Sequence, residues 1–183
     1  MKKQRPVILL ILSLILLSSS CKKHAVKPVD ELSKLPAATQ TGANTFGCLI
    51  DGKAFVPQNR SILQGPSIQC NYIYTAGGYH FTAAADNKNQ GIIVGTDSLA
   101  IAEGQTLTFK TFTPGNADAS YTLYYTIGEN QFVTNNTVSG QLTITKLDPV
   151  KQIVSGTFYF DAINGNGETV KITNGRFDML YTK

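Results

Sequence analysis

The chain has 183 residues, a net charge of +4, three cysteines, two histidines and no tryptophan. The positive charge sits at the front, because from Thr45 onward nine basic side chains stand against ten acidic ones. The body of the chain therefore lacks the basic footprint that nucleic-acid binding needs. No Cys or His pair stands at zinc-ligand spacing, so neither a metal nor a cofactor is implied.

Residues 1–20 read as an export signal. Lys2, Lys3 and Arg5 precede the apolar run Val7 to Leu17, and Ser18-Ser19-Ser20 leads to Cys21. An apolar run of eleven residues spans about 16 Å as a helix, roughly half of a hydrocarbon core, so it does not predict a membrane span. The serine run ending on Cys21 resembles a lipobox, which predicts that Cys21 is acylated and becomes the new N-terminus. The alternative is a plain secretory signal with an incidental cysteine. Two or three acyl chains, at about 0.8 kcal/mol per buried CH₂, would anchor stably where one is marginal. Lys22 and Lys23 would then lie at the headgroups.

Residues 21–44 read as lipid anchor and flexible tether, because Pro28 and Pro36 break any helix and no periodicity is sustained. As a coil this stretch would span about 25 to 30 Å root-mean-square. From Thr45 the texture changes to short Val-, Ile-, Thr-, Tyr- and Phe-rich runs separated by Gly, Asn and Asp. Strands are expected at 45–50, 53–56, 68–76, 79–86, 91–96, 105–112, 120–127, 138–147, 152–163, 168–173 and 176–181. Asp51-Gly52, Gly77-Gly78 and Asn174-Gly175 read as two-residue hairpin turns, and Asp148-Pro149 and Asn164 to Gly167 as further reversals. Residues 45–183 are thus expected to form one all-β domain, an antiparallel β-sandwich, immunoglobulin-like or related, with a small closed β-barrel as the alternative.

Register sharpens the expectation. A Gly77-Gly78 turn sets Tyr74 opposite Phe81 and Cys70 opposite Ala85 on the core face, with Tyr72 and Tyr79 beside them and His80 turned away. Phe46, Cys48 and Ile50 share the inward face of the first strand. Cys48 and Cys70 then both point inward and, in an oxidising compartment, are expected to pair as a disulfide; two buried thiols are the alternative. At the C-terminus an Asn174-Gly175 turn sets Ile172 opposite Phe177, Val170 opposite Met179 and Lys171 opposite Asp178.

The segments Leu35-Pro-Ala-Ala-Thr-Gln40, Asn44-Thr-Phe-Gly-Cys-Leu-Ile-Asp-Gly-Lys53, Val154-Ser-Gly-Thr-Phe-Tyr-Phe-Asp161 and Ile172-Thr-Asn-Gly-Arg-Phe-Asp178 resemble a family of uncharacterised Bacteroidota outer-membrane lipoproteins. The resemblance covers the two ends of the chain and implies a sandwich-like lipoprotein module without an assigned activity. Surface-exported lipoproteins of that phylum resemble one another in an acidic tract after the lipid cysteine. Lys22-Lys23-His24 stands there instead, which implies an outer-membrane lipoprotein facing the periplasm rather than the outside. Asp97-Ser98-Leu99 resembles the O-glycosylation sequon of the same phylum and marks Ser98 as a modification candidate.

Catalytic residues are not evident. His80 lies on a strand with no Gly-x-Ser-x-Gly elbow anywhere in the chain, and the acids mostly flank turns. Asp161 to Glu168 has calcium-type oxygens but not EF-hand spacing, so a β-turn is the expectation. Tyr124 and Tyr125 must point to opposite sides of their strand, which makes them candidates for an exposed binding aromatic. The expected function is a non-enzymatic, membrane-tethered envelope protein with a structural or partner-binding role. A glycan- or peptide-binding accessory module is the alternative, and a hydrolase the third reading.

Overall fold

The computed structural model describes residues 30–58 and 66–183. The signal sequence, Cys21 and the Lys22-Lys23-His24 tract lie outside the described residues. Eleven strands follow in order: β1 Thr45–Ile50, β2 Lys53–Phe55, β3 Ile68–Thr75, β4 Gly78–Asp86, β5 Gln90–Asp97, β6 Thr106–Thr108, β7 Asn116–Tyr124, β8 Glu129–Val133, β9 Gly140–Asp148, β10 Ile153–Ile163 and β11 Thr169–Leu180. Neighbours run β2-β1-β11-β10-β8-β7-β5-β4-β3, with β9 between β10 and β6, and every ladder is antiparallel.

One junction in this path is very thin. β8 meets β10 through the single pair Val133–Ile163, and there the sheet folds over into two layers, β2-β1-β11-β10-β9-β6 and β8-β7-β5-β4-β3. Phe81 on β4 meets Phe177 on β11 at a centroid distance of 5.9 Å, although these strands are far apart in the path. Phe46, Phe158 and Phe160 continue this aromatic core alongside Ile92, Val94, Leu142, Ile144, Ile172 and Met179. The isolated parallel bridges Asn71–Thr182 and Phe109–Ala117 also tie the layers. The fold is an open antiparallel sandwich rather than a closed barrel.

Two turns differ from expectation. Ala76 and Gly77, at φ 50° and 83°, make the β3–β4 turn, so Tyr74 pairs with Tyr79, Tyr72 with Phe81 and Cys70 with Ala83. The pairing shifts by two residues, which preserves every side chain's face. The Asn174-Gly175 hairpin does not form: β11 is one continuous strand with a bulge there. Ile172 pairs with Phe160 and Gly175 with Phe158, leaving one extra residue on β11. The bulge reverses alternation, so Val170 and Ile172 before it and Phe177 and Met179 after it all face the core. Lys171 lies opposite Asp161, and Asp178 opposite Ser155 and Thr45.

Residues 30–44, read from sequence as the end of the tether, lie against the domain. Asp30 caps a 3₁₀ turn, Glu31–Lys34, and Glu31 Oε2 accepts from the Ala54 amide at 2.9 Å. Leu35 is buried, and Arg176 Nη1 donates to the Pro36 carbonyl at 3.3 Å. Residues 39–43 then wrap the carboxylate of Asp178, which is 1% exposed. Its oxygens accept from Thr39 Oγ1 at 2.6 Å, Thr41 N at 2.9 Å, Gly42 N at 2.8 Å, Ala43 N at 3.1 Å and Ser155 Oγ at 2.8 Å. Burial alone would raise this carboxyl, but the donors from Thr39, Thr41, Gly42 and Ala43 outweigh it and hold it well below the usual carboxylate range.

Cys48 and Cys70 are both buried, as expected, but both are free thiols. The expected bridge is corrected: the two stand in different layers as small apolar side chains, and burial pushes both thiols up, that of Cys70 to about 12.

Candidate functional site

The structure brings Ser98, His80 and Asp97 together but not as a catalytic triad. His80 Nδ1 is 3.0 Å from Asp97 Oδ1 and 3.4 Å from the Ser98 amide nitrogen, while Nε2 lies 3.3 Å from the Thr75 carbonyl. A carbonyl only accepts, so the Nε2–H is directed at Thr75, while Nδ1 faces both the Asp97 carboxylate and the Ser98 N–H. The Ser98 hydroxyl donates to Asp97 at 3.4 Å. No imidazole lone pair is aimed at a nucleophile. Ser98 itself is exposed.

Asp118, across β5 from Thr82, is partly buried; burial and then the neighbouring Asp97 push its carboxyl up to about 6. A raised acid beside a second carboxylate is an arrangement that hydrolases use. Here both stand on the outer face of the β4-β5-β7 layer, and neither lines the clefts beside Tyr159, Tyr121 or Phe46. The Asp161 to Glu168 stretch closes on itself: Asn164 Oδ1 accepts from the Asn166 and Glu168 amides, and Asn164 Nδ2 donates to Glu168 Oε2 at 2.6 Å. This is the expected turn. Among the described residues no group of three His, Cys, Asp or Glu side chains gathers as a metal site.

Tyr124 and Tyr125 diverge as alternation requires. Tyr124 donates to Asp86 Oδ1 at 3.2 Å, and Tyr125 is 57% exposed at the turn closed by its amide on Gly128. The larger aromatic surface lies elsewhere. Tyr72 stacks on Tyr79 at 5.2 Å, Tyr74 meets Tyr79 edge-on at 5.0 Å, and Tyr181 meets Tyr72 edge-on at 5.9 Å. Tyr74 and Tyr79 are 66% and 44% exposed. Alternation assigns them correctly to the inner face, but the β3–β4 hairpin runs past the opposing layer, so its last inward side chains have no core to enter.

A second surface arises on the outer face of β6-β9-β10-β11. Cross-strand pairing aligns Thr106, Thr143, Thr157 and Arg176 in one row, and Gln141 with Tyr159 in the next. Ala38 and Asn174 complete a cleft of about 370 Å³ around these side chains. Tyr159 is 51% exposed. It was legible in principle, because Phe158 and Phe160 point inward and an aromatic between them must point out. Arg176 could not be placed beside it without the bulge.

A family model described as a domain of unknown function (DUF6252) matches residues 67–180. No curated protein and no solved structure matches the chain.

Proposed function

Because the chain belongs to the DUF6252 family, a domain of unknown function, we propose a role from its own residues. It is a lipid-anchored envelope protein without enzymatic activity that binds a protein partner through the tyrosine tip of the β3–β4 hairpin. Cys21 holds it to the outer membrane, with the domain on the periplasmic side. The export signal, the cysteine at its end and the basic tract after it support this address.

The observation that carries the binding role is the exposure of Tyr74 and Tyr79 on a supported hairpin. The two rings brace each other and Tyr72, and Tyr72 in turn rests on Tyr181. Such rings offer large amphipathic contact area at low entropic cost, which is why tyrosine is enriched at interface centres. The engaged ring nitrogens of His80 support a non-catalytic reading. Position supports it too. Glu31, next to the first described residue, bonds Ala54 at the level of Thr173, through Leu49. Tyr181 lies eight residues beyond Thr173, just past the end of β11, about 25 Å at strand rise. The tip therefore lies toward the opposite end of β11 from Glu31.

A photoreactive amino acid at position 74 of the full-length chain, activated in intact cells, should yield one discrete protein adduct that Tyr79→Ala abolishes. The same probe at exposed Val150 should yield none. Smearing from both positions, or an adduct indifferent to Tyr79→Ala, overturns the tip. Labelled fatty acid should enter the wild type and not Cys21→Ser; label in the variant overturns the anchor. The alternative, a glycan-binding module, is favoured by one specific observation, the threonine- and amide-lined cleft beneath Tyr159.

A further inference from the structure

We infer that the cleft on the outer face of β6-β9-β10-β11 is a binding site for an acidic oligosaccharide, a short chain of sugar rings bearing carboxylates. The inference rests on the glycan-binding reading and not on the tyrosine tip, which belongs to a different part of the molecule.

Three features select the class. The first is the lining: Gln141, Thr143, Thr157 and Asn174 present side-chain hydroxyls and amides from neighbouring strands, with exposed Tyr159 among them. A sugar ring matches this set, stacking its apolar face on an aromatic ring while its hydroxyls exchange hydrogen bonds with donors and acceptors at strand spacing. The cleft, about 370 Å³, lies at the small end of ligand sites, which run from about 300 to 1,000 Å³. It suits a short saccharide segment rather than a large ligand.

The second feature is charge. Arg176 is the only charged side chain in the lining, and no carboxylate shares the cleft. Its Nε and Nη1 are oriented by the carbonyls of Asn174 and Pro36, both at 3.3 Å. Those neutral acceptors orient the guanidinium without neutralising it, and among the described residues it has no ion pair. The nearest acid along β11, Asp178, is enclosed by donors from residues 39–43 and Ser155, and Asp161 on β10 lies opposite Lys171 in the ladder. An oriented, uncompensated guanidinium is a carboxylate receptor.

The third feature excludes an extended peptide adding as a strand. β9, β10 and β11 each have a partner strand on both sides, so the cleft floor has no free backbone edge for augmentation. Recognition there depends on side chains, which suits a saccharide.

The bulge of β11 builds the site. With Asn174 at φ 54°, the extra residue turns Asn174 and Arg176 out on the same side as Thr157 and Tyr159. A regular strand continuing the register of Val170 and Ile172 would have sent both inward.

The full chain in neutral detergent, titrated calorimetrically with trigalacturonate and with the neutral trisaccharide of galactose, tests this. Saturable binding of trigalacturonate is expected, weaker by about tenfold or more for the neutral probe. Tyr159→Ala and Arg176→Gln should each weaken trigalacturonate by about tenfold or more, and Arg176→Lys should fall between. Val150→Ala, at an exposed position away from the cleft, should leave binding unchanged. Arg176 also holds Pro36, so Arg176→Gln can disturb the fold; Tyr159→Ala removes an exposed ring and keeps the test decisive. Equal affinity for both probes, lost in Tyr159→Ala, overturns the acidic class and leaves glycan binding standing. No saturable binding of either probe, or binding indifferent to both Tyr159→Ala and Arg176→Gln, overturns the site.

Discussion

Burial raises both Asp178 and Asp118, yet their net shifts are opposite, because only the first is surrounded by donors. The Asp178 carboxyl is held below its unfolded value near 4. Its contribution is complete above that value and is lost as pH falls below it toward the folded value, since the unfolded state then binds the extra proton. Asp178→Asn should cost about 2–4 kcal/mol at pH 7, because an amide NH₂ would face amide and hydroxyl donors, and the difference should shrink as acid is added. Asp118 titrates near 6 in the folded state, above its unfolded value. The folded state then binds more protons between about pH 4 and 6, so stability falls as pH rises through that window. Asp118→Asn should therefore stabilise the protein at pH 7 by about 1–2 kcal/mol, allowing for solvent screening, and do nothing near pH 3. Urea denaturation of both variants at pH 3, 5 and 7 would read the two opposite trends.

The bulge of β11 governs more of the molecule than any turn, and Gly175 governs the bulge. A Cβ at this position would lie 2.4 Å from the Phe158 ring, and that ring packs on Phe46, Phe160 and Phe177. Gly175→Ala should cost about 2–3 kcal/mol through the forced shift of the ring, readable as a lower thermal midpoint. Asn174→Gly, which keeps the left-handed backbone accessible, should stay within about 0.5 kcal/mol. The same position shows what the sequence could and could not convey. Alternation in the C-terminal segments and the Asn-Gly pair both say that the inward face switches near residue 174, and it does. A hairpin and a bulge make the same local switch; only the neighbouring strands β1 and β10, pairing across both halves of β11, distinguish them. β8 escaped notice for a related reason: Glu129-Asn-Gln-Phe-Val133 holds one inward aromatic, Phe132, and its strand character comes from pairing with β7. The inward positions of Cys48, Cys70, Phe81 and Ala83 were legible because a slip of two residues leaves parity intact. The cleft was not legible, because its walls come from Ala38, β9, β10 and a bulged β11, brought together only by the fold.

At the scale of the whole molecule, the segment before β1 and the C-terminal strand meet in space. Leu35 to Ala43 crosses the β11 residues Arg176 and Asp178, and the Asp178 carboxylate binds them together. A tether that merely spaced the domain from a membrane would need no such buried contact. The leader from residue 30 is better understood as the first part of the sandwich, and truncation separates the two views. A chain beginning at residue 30 should retain the stability of the longer form. One beginning at residue 45 loses Glu31 from Ala54, Leu35 from the core and every donor to Asp178 except Ser155. It should lose about 3–5 kcal/mol, a large share of the roughly 5–15 kcal/mol that holds a domain together. The two perturbations must also be non-additive. Once residues 39–43 are gone, Asp178→Asn has almost nothing left to break and should cost much less than in the full chain. Equal midpoints for the two truncations, or full additivity with Asp178→Asn, would return these residues to the role of a passive linker.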